Sequence, residues 1–243
     1  MELDGRVVLV TGGARRVGRA IALRLARAGC QIAVHYRASA AEARQTVADC
    51  QACGVTAATF QADLGDPGQA ARLVPAVLER FGRLDVLVNN ASVFERMNVT
   101  TFDVADWERT LRVNLTTPMV LVAAAHEALA QAGGRVVNVT DAAVGQPWPE
   151  HLAYIVSKGA LDTLTHVLAR ALAPGVNVVG IAPGVAAWPE SYDAQTRARL
   201  TAKIPLQRAG SADDVAAAVE FVLRDGDYIT GVVLPVDGGR HLA

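Results

Sequence analysis

The chain has 243 residues, 51% of them hydrophobic, which suits one large domain with an extensive core. Its 23 basic residues balance 24 acidic ones to a net charge of -1, so no field gathers nucleic acid or an anionic membrane, and small molecules are the expected partners. Cys30, Cys50 and Cys53 make no disulfide framework, the start MELDGRVVLV lacks a signal-peptide pattern, and no apolar run approaches the ~20 residues of a bilayer span, so a soluble cytoplasmic protein is expected.

Short apolar, β-branched runs alternate with Ala-, Leu- and Arg-rich stretches along the whole chain, the pattern of a parallel sheet covered by helices on both faces. RVVLVT (6–11) predicts the first buried strand, and RAIALRLARAG (19–29) a helix with Ile21, Leu25 and Ala28 on one face and Gly29 as its stop. Between them lies TGGARRVG (11–18), a turn suited to a dinucleotide. Gly12 and Gly13 let backbone approach a pyrophosphate, Gly18 lets the helix pack close to the strand, and the helix N-terminus offers its amides to the anion. The candidate cofactor residues here are Gly12, Arg15, Arg16, Val17 and Gly18.

QIAVHY (31–36) is the second strand. An NAD site places Asp or Glu about 20 residues beyond the glycines, to hold the ribose 2′-hydroxyl. Here His35, Tyr36 and Arg37 stand instead, with no acid before Glu42. Arg16, Arg37 and Ser39 suit a 2′-phosphate, so NADPH/NADP is the expected cofactor. AAEARQTVADCQAC (40–53) predicts a helix; its Cys50 and Cys53 have no second pair, and no metal is expected.

TAATFQAD (56–63) is a third strand, ending in Asp63 and Leu64 where an adenine would lie. GQAARLVPAVLERF (68–81) predicts a helix with Pro75 as a local fault. LDVLVNNA (84–91) is a fourth strand that delivers Asn90, Ala91 and Ser92 to the cofactor ribose and nicotinamide. A long helix from about Asp103 to Gln131, strand RVVNVT (135–140), a helix around 151–172 and strand GVNVVGIAPG (175–184) follow. A helix at SADDVAAAVEFVL (211–223), opened by Ser211 and Asp214 as a capping box, and strand VVLPVD (232–237) complete the chain. The expected fold is a single-domain α/β Rossmann fold with a seven-stranded parallel, doubly wound sheet. The least periodic stretch, 184–206, reads either as a flap over a substrate or as a plain surface excursion.

Tyr154 and Lys158 stand four apart on a predicted helix, so they share a face one turn from each other. A neighbouring ammonium is expected to lower the pKa of a phenol, and Tyr154 then passes a proton as hydride moves. With these residues in place the chain resembles the short-chain dehydrogenase/reductase family over essentially its whole length. TGGARRVG, Asp63, Asn89-Asn90-Ala91, Asn114 in RVNL, Tyr154/Lys158 and Pro183-Gly184 carry the resemblance. It implies that Tyr154 is the acid/base, that Lys158 binds the nicotinamide ribose and tunes Tyr154, and that Asn114 helps hold a water-linked proton relay. It also implies Thr140, Pro183 and Gly184 beside the cofactor, and a homotetramer.

Two departures narrow the resemblance. Most of the family has glycine at the position of Arg16 and serine at that of Asp141, while the hydroxyl of Thr140 is displaced by one and points to the other side of a strand-like segment. Both exchanges together resemble the pteridine reductases. HYRASAAEA (35–43), NASVF ending in Phe94, the segment from Asp141 to Gln146-Pro147, YIVSKGAL, and YITG…VDGG (228–239) do so too. A flat heterocycle can stack on Phe94 against the nicotinamide, and its polar edge can meet Ser92, Arg16, Asp141 and Tyr154. Trp188 is placed to tune the choice among pterins and folates. A carboxylate beside Tyr154 opposes phenolate formation, so Asp141 and Tyr154 should titrate as a coupled pair sharing a proton. The expected function is NADPH-dependent reduction of a dihydropterin or folate. A carbonyl reductase of the 3-oxoacyl or small-ketone type, and a non-catalytic NADP-binding regulatory protein, stand as alternatives. The intact set of Tyr154, Lys158 and Asn114 argues against the last.

Overall fold

Seven strands lie side by side in one parallel sheet: β1 (Val7–Val10), β2 (Gln31–Tyr36), β3 (Ala57–Gln61), β4 (Val86–Asn89), β5 (Arg135–Val139), β6 (Asn177–Pro183) and β7 (Val232–Val236). Their order is β3-β2-β1-β4-β5-β6-β7, which reverses direction between β1 and β4. In an open α/β sheet that reversal opens a crevice at the carboxyl ends of the strands. The computed structural model describes residues 1–146, 148–188 and 193–242.

The helices are α1 (Arg16–Arg27), α2 (Ala40–Gln51), α3 (Pro67–Phe81), α4 (Val104–Leu111), α5 (Thr117–Ala132), α6 (Leu152–Leu172), α7 (Ala194–Thr201) and α8 (Ala212–Arg224). Strands buried on both faces read as continuous apolar runs, and the alternation shows only in which core each residue joins. Val8 and Val10 of β1 join Ile32, Val34 and Val88 beneath α1, α2 and α8. Val7 and Leu9 join Leu87, Val136 and Val178 beneath α3, α5 and α6.

Local chemistry sets the boundaries. Asp66 caps α3 by accepting the amides of Gly68 and Gln69 at 2.8 and 3.1 Å, and Ser211 and Asp214 form the expected capping box of α8. α1 starts at Arg16 rather than Arg19, because extended Arg15 serves as its N-cap and hands the glycine turn directly to the helix. Pro75 sits inside α3 without ending it; the buried stripe of Leu73, Val74 and Val77 holds both halves of the helix to the sheet.

The predicted helix from about Asp103 is a continuous run of 29 residues from Val104 to Ala132, whose most apolar window has a mean hydropathy of 1.2. By length and composition alone it could cross a membrane, but Leu121, Val122, Ala125 and Leu129 are packed in the core under the sheet. Its turn Arg112–Thr116 is wound as a π-helix, an interruption the sequence reading did not foresee. The 184–206 stretch contains α7, and it is tied down by buried Ile204 and by the Leu206 amide donating to the Gly238 carbonyl at 3.1 Å. Its residues 189–192, and Pro147 of the Asp141–Pro147 segment, lie outside the described residues.

Candidate active site

The turn after β1 is knotted to the end of β4. Thr11 Oγ1 accepts the amides of Asn90 and Ala91 at 2.9 and 3.0 Å, and Asn90 Nδ2 donates to the Thr11 carbonyl at 2.8 Å. Gly12 has φ +63, and a Cβ on Gly18 would lie 2.2 Å from the Gly12 carbonyl oxygen and 2.6 Å from Asn90 Nδ2. A side chain at Gly18 would therefore force the turn and helix apart. Arg16 is exposed with φ +50, the left-handed conformation that glycine adopts freely, which accounts for the residue the resemblance expects there.

His35, expected as a cofactor contact, lines the cavity at the strand ends, yet it is buried and both its ring nitrogens are engaged within the protein. Its Nδ1 accepts the Gly12 amide at 3.0 Å, so Nε2 carries the proton and donates to the Ala62 carbonyl at 3.1 Å. Burial lowers its pKa to about 4 and keeps the ring neutral. His35 thus ties the glycine turn to the ends of β2 and β3.

A cavity of about 370 Å³ opens at the carboxyl ends of the strands. Gly12 and Arg15 line it after β1, Tyr36, Arg37 and Ser39 after β2, and Asp63 and Leu64 after β3. Ala91, Ser92 and Phe94 line it after β4. The cavity thus brings together about half of the predicted cofactor residues, from four strand ends, and leaves Asn90, Thr140, Tyr154, Lys158, Pro183 and Gly184 outside its wall. Its wall does not include Arg16. It does include Glu95 and Arg109, an ion pair between the β4 loop and α4 that the sequence did not mark.

Tyr154 and Lys158 are both buried on α6. The Tyr154 hydroxyl donates to Asp141 Oδ2 at 2.5 Å, while Asp141 Oδ1 accepts the Ala143 amide at 2.8 Å. The expectation that Lys158 lowers the pKa of Tyr154 does not hold in this structure. Burial first, then the Asp141 charge and the hydrogen bond to it, raise Tyr154 well above its ordinary value of 10.0. Lys158 Nζ instead donates to the Val139 carbonyl at 2.7 Å and lies 5.8 Å from the centre of the Tyr154 ring. Burial lowers Lys158 from 10.5 to about 8, against the opposing charges of Asp141 and Asp162.

Asn114 sits in the π-turn and clamps the β4 loop to α6. Its Oδ1 accepts the Val93 amide at 2.8 Å, and its Nδ2 donates to the Val93 carbonyl at 2.9 Å and to Ser157 Oγ at 3.0 Å. Ser157 in turn donates to the Tyr154 carbonyl at 2.7 Å. Below this, Asn89 Nδ2 donates to Asn138 Oδ1, and Asn138 Nδ2 to Thr165 Oγ1, both at 2.9 Å, so buried amides link β4, β5 and α6. Thr140 is buried with its amide on the Ile181 carbonyl at 2.7 Å and its hydroxyl on the same side, away from the Tyr154–Asp141 bond. The Pro183 carbonyl accepts the Ala142 amide at 3.0 Å, and Gly184 lies so close to Asp237 that a Cβ would fall 2.7 Å from that residue's own Cβ.

Phe94 is 48% exposed and meets Tyr154 in a T-shaped contact, with 4.7 Å between ring centres. One face is already covered by His151, stacked at 4.3 Å and 13°, and Trp148 leans on both rings. His151 Nδ1 donates to the Glu95 carbonyl at 2.9 Å. The sequence reading missed Trp148 and His151. Their signal was spacing, since His151 and Tyr154 are three apart and share one side of the helix start. Ser92 is exposed, and Trp188 is half-buried beyond β6.

A proton-bearing tyrosine beside a buried lysine, at a strand-order reversal, is the arrangement of a Rossmann-type oxidoreductase. Comparison with known proteins agrees. A family model described as enoyl-(acyl carrier protein) reductase matches residues 12–241. A 3-oxoacyl-[acyl-carrier-protein] reductase of Synechocystis is 34% identical over 243 residues, covering 98% of this chain and 97% of the relative. A short chain dehydrogenase of Burkholderia cenocepacia in complex with NADP superposes with a TM-score of 0.93 at 38% identity, covering 100% of both chains. FolM alternative dihydrofolate reductase 1 of Brucella canis, complexed with NADP, superposes with a TM-score of 0.91 at 37% identity, covering 100% of this chain and 97% of the other. The chain belongs to the short-chain dehydrogenase/reductase family.

Proposed function

We propose that the chain is an NADPH-dependent reductase of pterins, reducing a C=N bond of a dihydropterin or dihydrofolate ring. The observation that carries this reading is the 2.5 Å hydrogen bond from Tyr154 to Asp141, a carboxylate where ketone-reducing relatives use a hydroxyl. A ketone oxygen has no hydrogen to offer a carboxylate, whereas the amino group and ring N–H of a pterin do. The raised pKa of Tyr154 also suits the task, because the phenol keeps its proton at neutral pH until a more basic nitrogen forms. The exposed ring of Phe94 supplies an aromatic surface beside it.

The residues present fit a nicotinamide dinucleotide. A Cβ at Gly12 would approach Ala91 Cα to 3.1 Å, so only bare backbone lines the phosphate turn, and the first amides of α1 have no partner within their helix. Arg37 and Ser39 in the cavity wall, on a β2 loop that carries no acid before Glu42, favour a 2′-phosphate, and the two NADP-bound neighbours support the same cofactor. Arg15 and Val17 would hold the pyrophosphate, Asp63 and Leu64 the adenine, and Asn90, Ala91 and Lys158 the nicotinamide ribose. The cofactor contributes a hydride. Tyr154 donates the proton, Asp141 orients that phenol and accepts from the substrate edge, and Asn114 with Ser157 fixes the backbone of Tyr154. In the same proposal Ser92 and Trp188 contact the substrate, the 184–206 stretch covers it, and the chain assembles as a homotetramer.

A second reading, a carbonyl reductase, is favoured by the 3-oxoacyl reductase relative. NADPH oxidation with dihydrobiopterin, dihydrofolate and a 3-oxoacyl thioester, measured side by side, separates the two. Turnover of the thioester alone would remove the pterin reading.

A further inference from the structure

Residues 91–96, which follow β4, form neither helix nor strand, so their position depends on ties to other segments. Phe94 lies in this run, and the bonds that hold it belong to its neighbours. Asn114 clamps Val93 through its amide at 2.8 Å and its carbonyl at 2.9 Å. Glu95 is held twice. Its carbonyl accepts His151 Nδ1 at 2.9 Å, and its carboxylate pairs with Arg109 of α4, whose guanidinium also lies 3.7 Å from Asp106. Beyond it, the Met97 amide donates to the Glu150 carbonyl at 2.9 Å and the Leu152 amide to the Met97 carbonyl at 3.0 Å, which fastens the run to the start of α6. Buried His151 stacks on Phe94 at 4.3 Å, Phe94 meets Tyr154 at 4.7 Å, and Trp148 lies 5.7 Å from Phe94 and 4.7 Å from His151. Glu95 thus joins α4 to the rings that abut Tyr154. Its pair with Arg109 is open to solvent, with 47% and 38% of the two side chains exposed, so it adds little to stability. Both residues nevertheless line the cavity at the strand ends.

We propose that Glu95 is a positioning residue for the substrate: its ion pair with Arg109 holds Phe94 and His151 against Tyr154 and so sets how tightly a flat aromatic heterocycle binds. The kind of ring rests on the pterin reading, whereas the holding of Phe94 and His151 rests on the geometry alone. Phe94 and Glu95 are consecutive, with Cα atoms about 3.8 Å apart, so a shift of one is passed to the other. The bond from His151 fixes Glu95 at one point and leaves it free to pivot there. The pair with Arg109 supplies the second point. With both in place the aromatic wall is ordered before the substrate arrives, and binding carries no further cost for ordering it. Without the pair, Arg109 keeps Asp106 beside it on its own helix, so no charge is stranded and the fold is left intact. The bond from Tyr154 to Asp141 does not involve Glu95, so the loss falls on substrate affinity rather than on turnover.

The test uses the full chain with Glu95→Ala, Arg109→Gln, Arg109→Lys and the double variant Glu95→Ala/Arg109→Gln. In ligand-free protein, acrylamide quenching of the Trp148 emission, taken as the part lost in Trp148→Phe, reports how closely the rings are held. The quenching constant should rise about twofold in Glu95→Ala and in Arg109→Gln, and Arg109→Lys, which keeps the cation, should restore it. With saturating NADPH, the KM for dihydrobiopterin or dihydrofolate, whichever is reduced, should rise about fivefold in Glu95→Ala and in Arg109→Gln while kcat stays within about twofold of wild type. The double variant should be no weaker than either single one, because all three remove the same interaction. The KM for NADPH should rise less than that for the ring. Unchanged Trp148 quenching overturns the proposal, as does an unchanged KM for the ring. A loss that falls on kcat, one that falls equally on the KM for NADPH, or one that adds in the double variant overturns it too. Should Glu95→Ala not fold, Arg109→Gln against Arg109→Lys carries the same comparison. If neither ring is reduced, the pterin reading fails, and the Trp148 quenching alone then decides whether Glu95 holds the rings.

Discussion

Lys158→Met removes the buried ammonium while keeping an unbranched side chain in its place. Burial lowers Lys158 from 10.5 to about 8, so at pH 7 the folded chain holds this charge at a cost of about 3 kcal/mol, at roughly 1.36 kcal/mol per pKa unit. The substitution relieves that cost but strips the Val139 carbonyl of the donor 2.7 Å away, a loss of ~1–3 kcal/mol. The net change at pH 7 is therefore small. Its pH dependence is not. The folded pKa lies below the unfolded one, so between about pH 8 and pH 10.5 the unfolded chain binds the extra proton and wild-type stability rises with pH. From pH 7 to pH 10 the wild type should gain about 2.5 kcal/mol on the variant, read from urea unfolding of both proteins at constant ionic strength. Parallel pH dependence in the two proteins would refute the picture of a charged lysine held in a dry interior. Reductase activity should fall by at least ~100-fold in the same variant.

The remaining predictions concern the turn, its tie and the substrate side. Gly18→Ala places a Cβ 2.2 Å from the Gly12 carbonyl oxygen, so thermal unfolding should show a loss of about 1–3 kcal/mol and titration should show weakened NADPH binding. His35 is neutral when folded, so the unfolded chain alone gains its proton between about pH 6.5 and pH 4. Stability should fall by about 3 kcal/mol as pH drops through that window, and His35→Phe should lose this acid sensitivity while costing ~2–4 kcal/mol at pH 7 for two unpaired backbone groups. Asp141→Ser should depress pterin turnover more than NADPH binding, and an ultraviolet titration should find the Tyr154 phenol ionising at lower pH than in the wild type. Unchanged pterin turnover would take Asp141 out of the mechanism. Arg37→Ala should raise the KM for NADPH and leave that for NADH unchanged.

The sheet was legible because parallel strands buried on both faces produce apolar runs that little else produces, and all seven stand where VVLV, QIAVHY and their successors predict. The cofactor side was legible because its residues fall at successive strand ends, as Arg37, Asp63 and Ala91 do in the cavity wall. What stayed hidden depends on contacts between distant segments. Nothing in HYRAS says that His35 turns inward to the Gly12 amide. The raised pKa of Tyr154 follows first from burial, which spacing on a helix does not determine, and then from the Asp141 carboxylate bonded to it. The π-turn at Asn114 and the ring pair of Phe94 and His151 are likewise products of packing.

The His35 tie bears on any effort to re-engineer nucleotide preference. The loop that would discriminate one ribose from another and the turn that would grip the phosphates share a single imidazole as their hinge pin. Exchanging residues 36–39 to welcome a different nucleotide would shift the ring as well as the loop. Selectivity and grip are therefore mechanically coupled in this protein, and a redesign succeeds only if the pin is left in register.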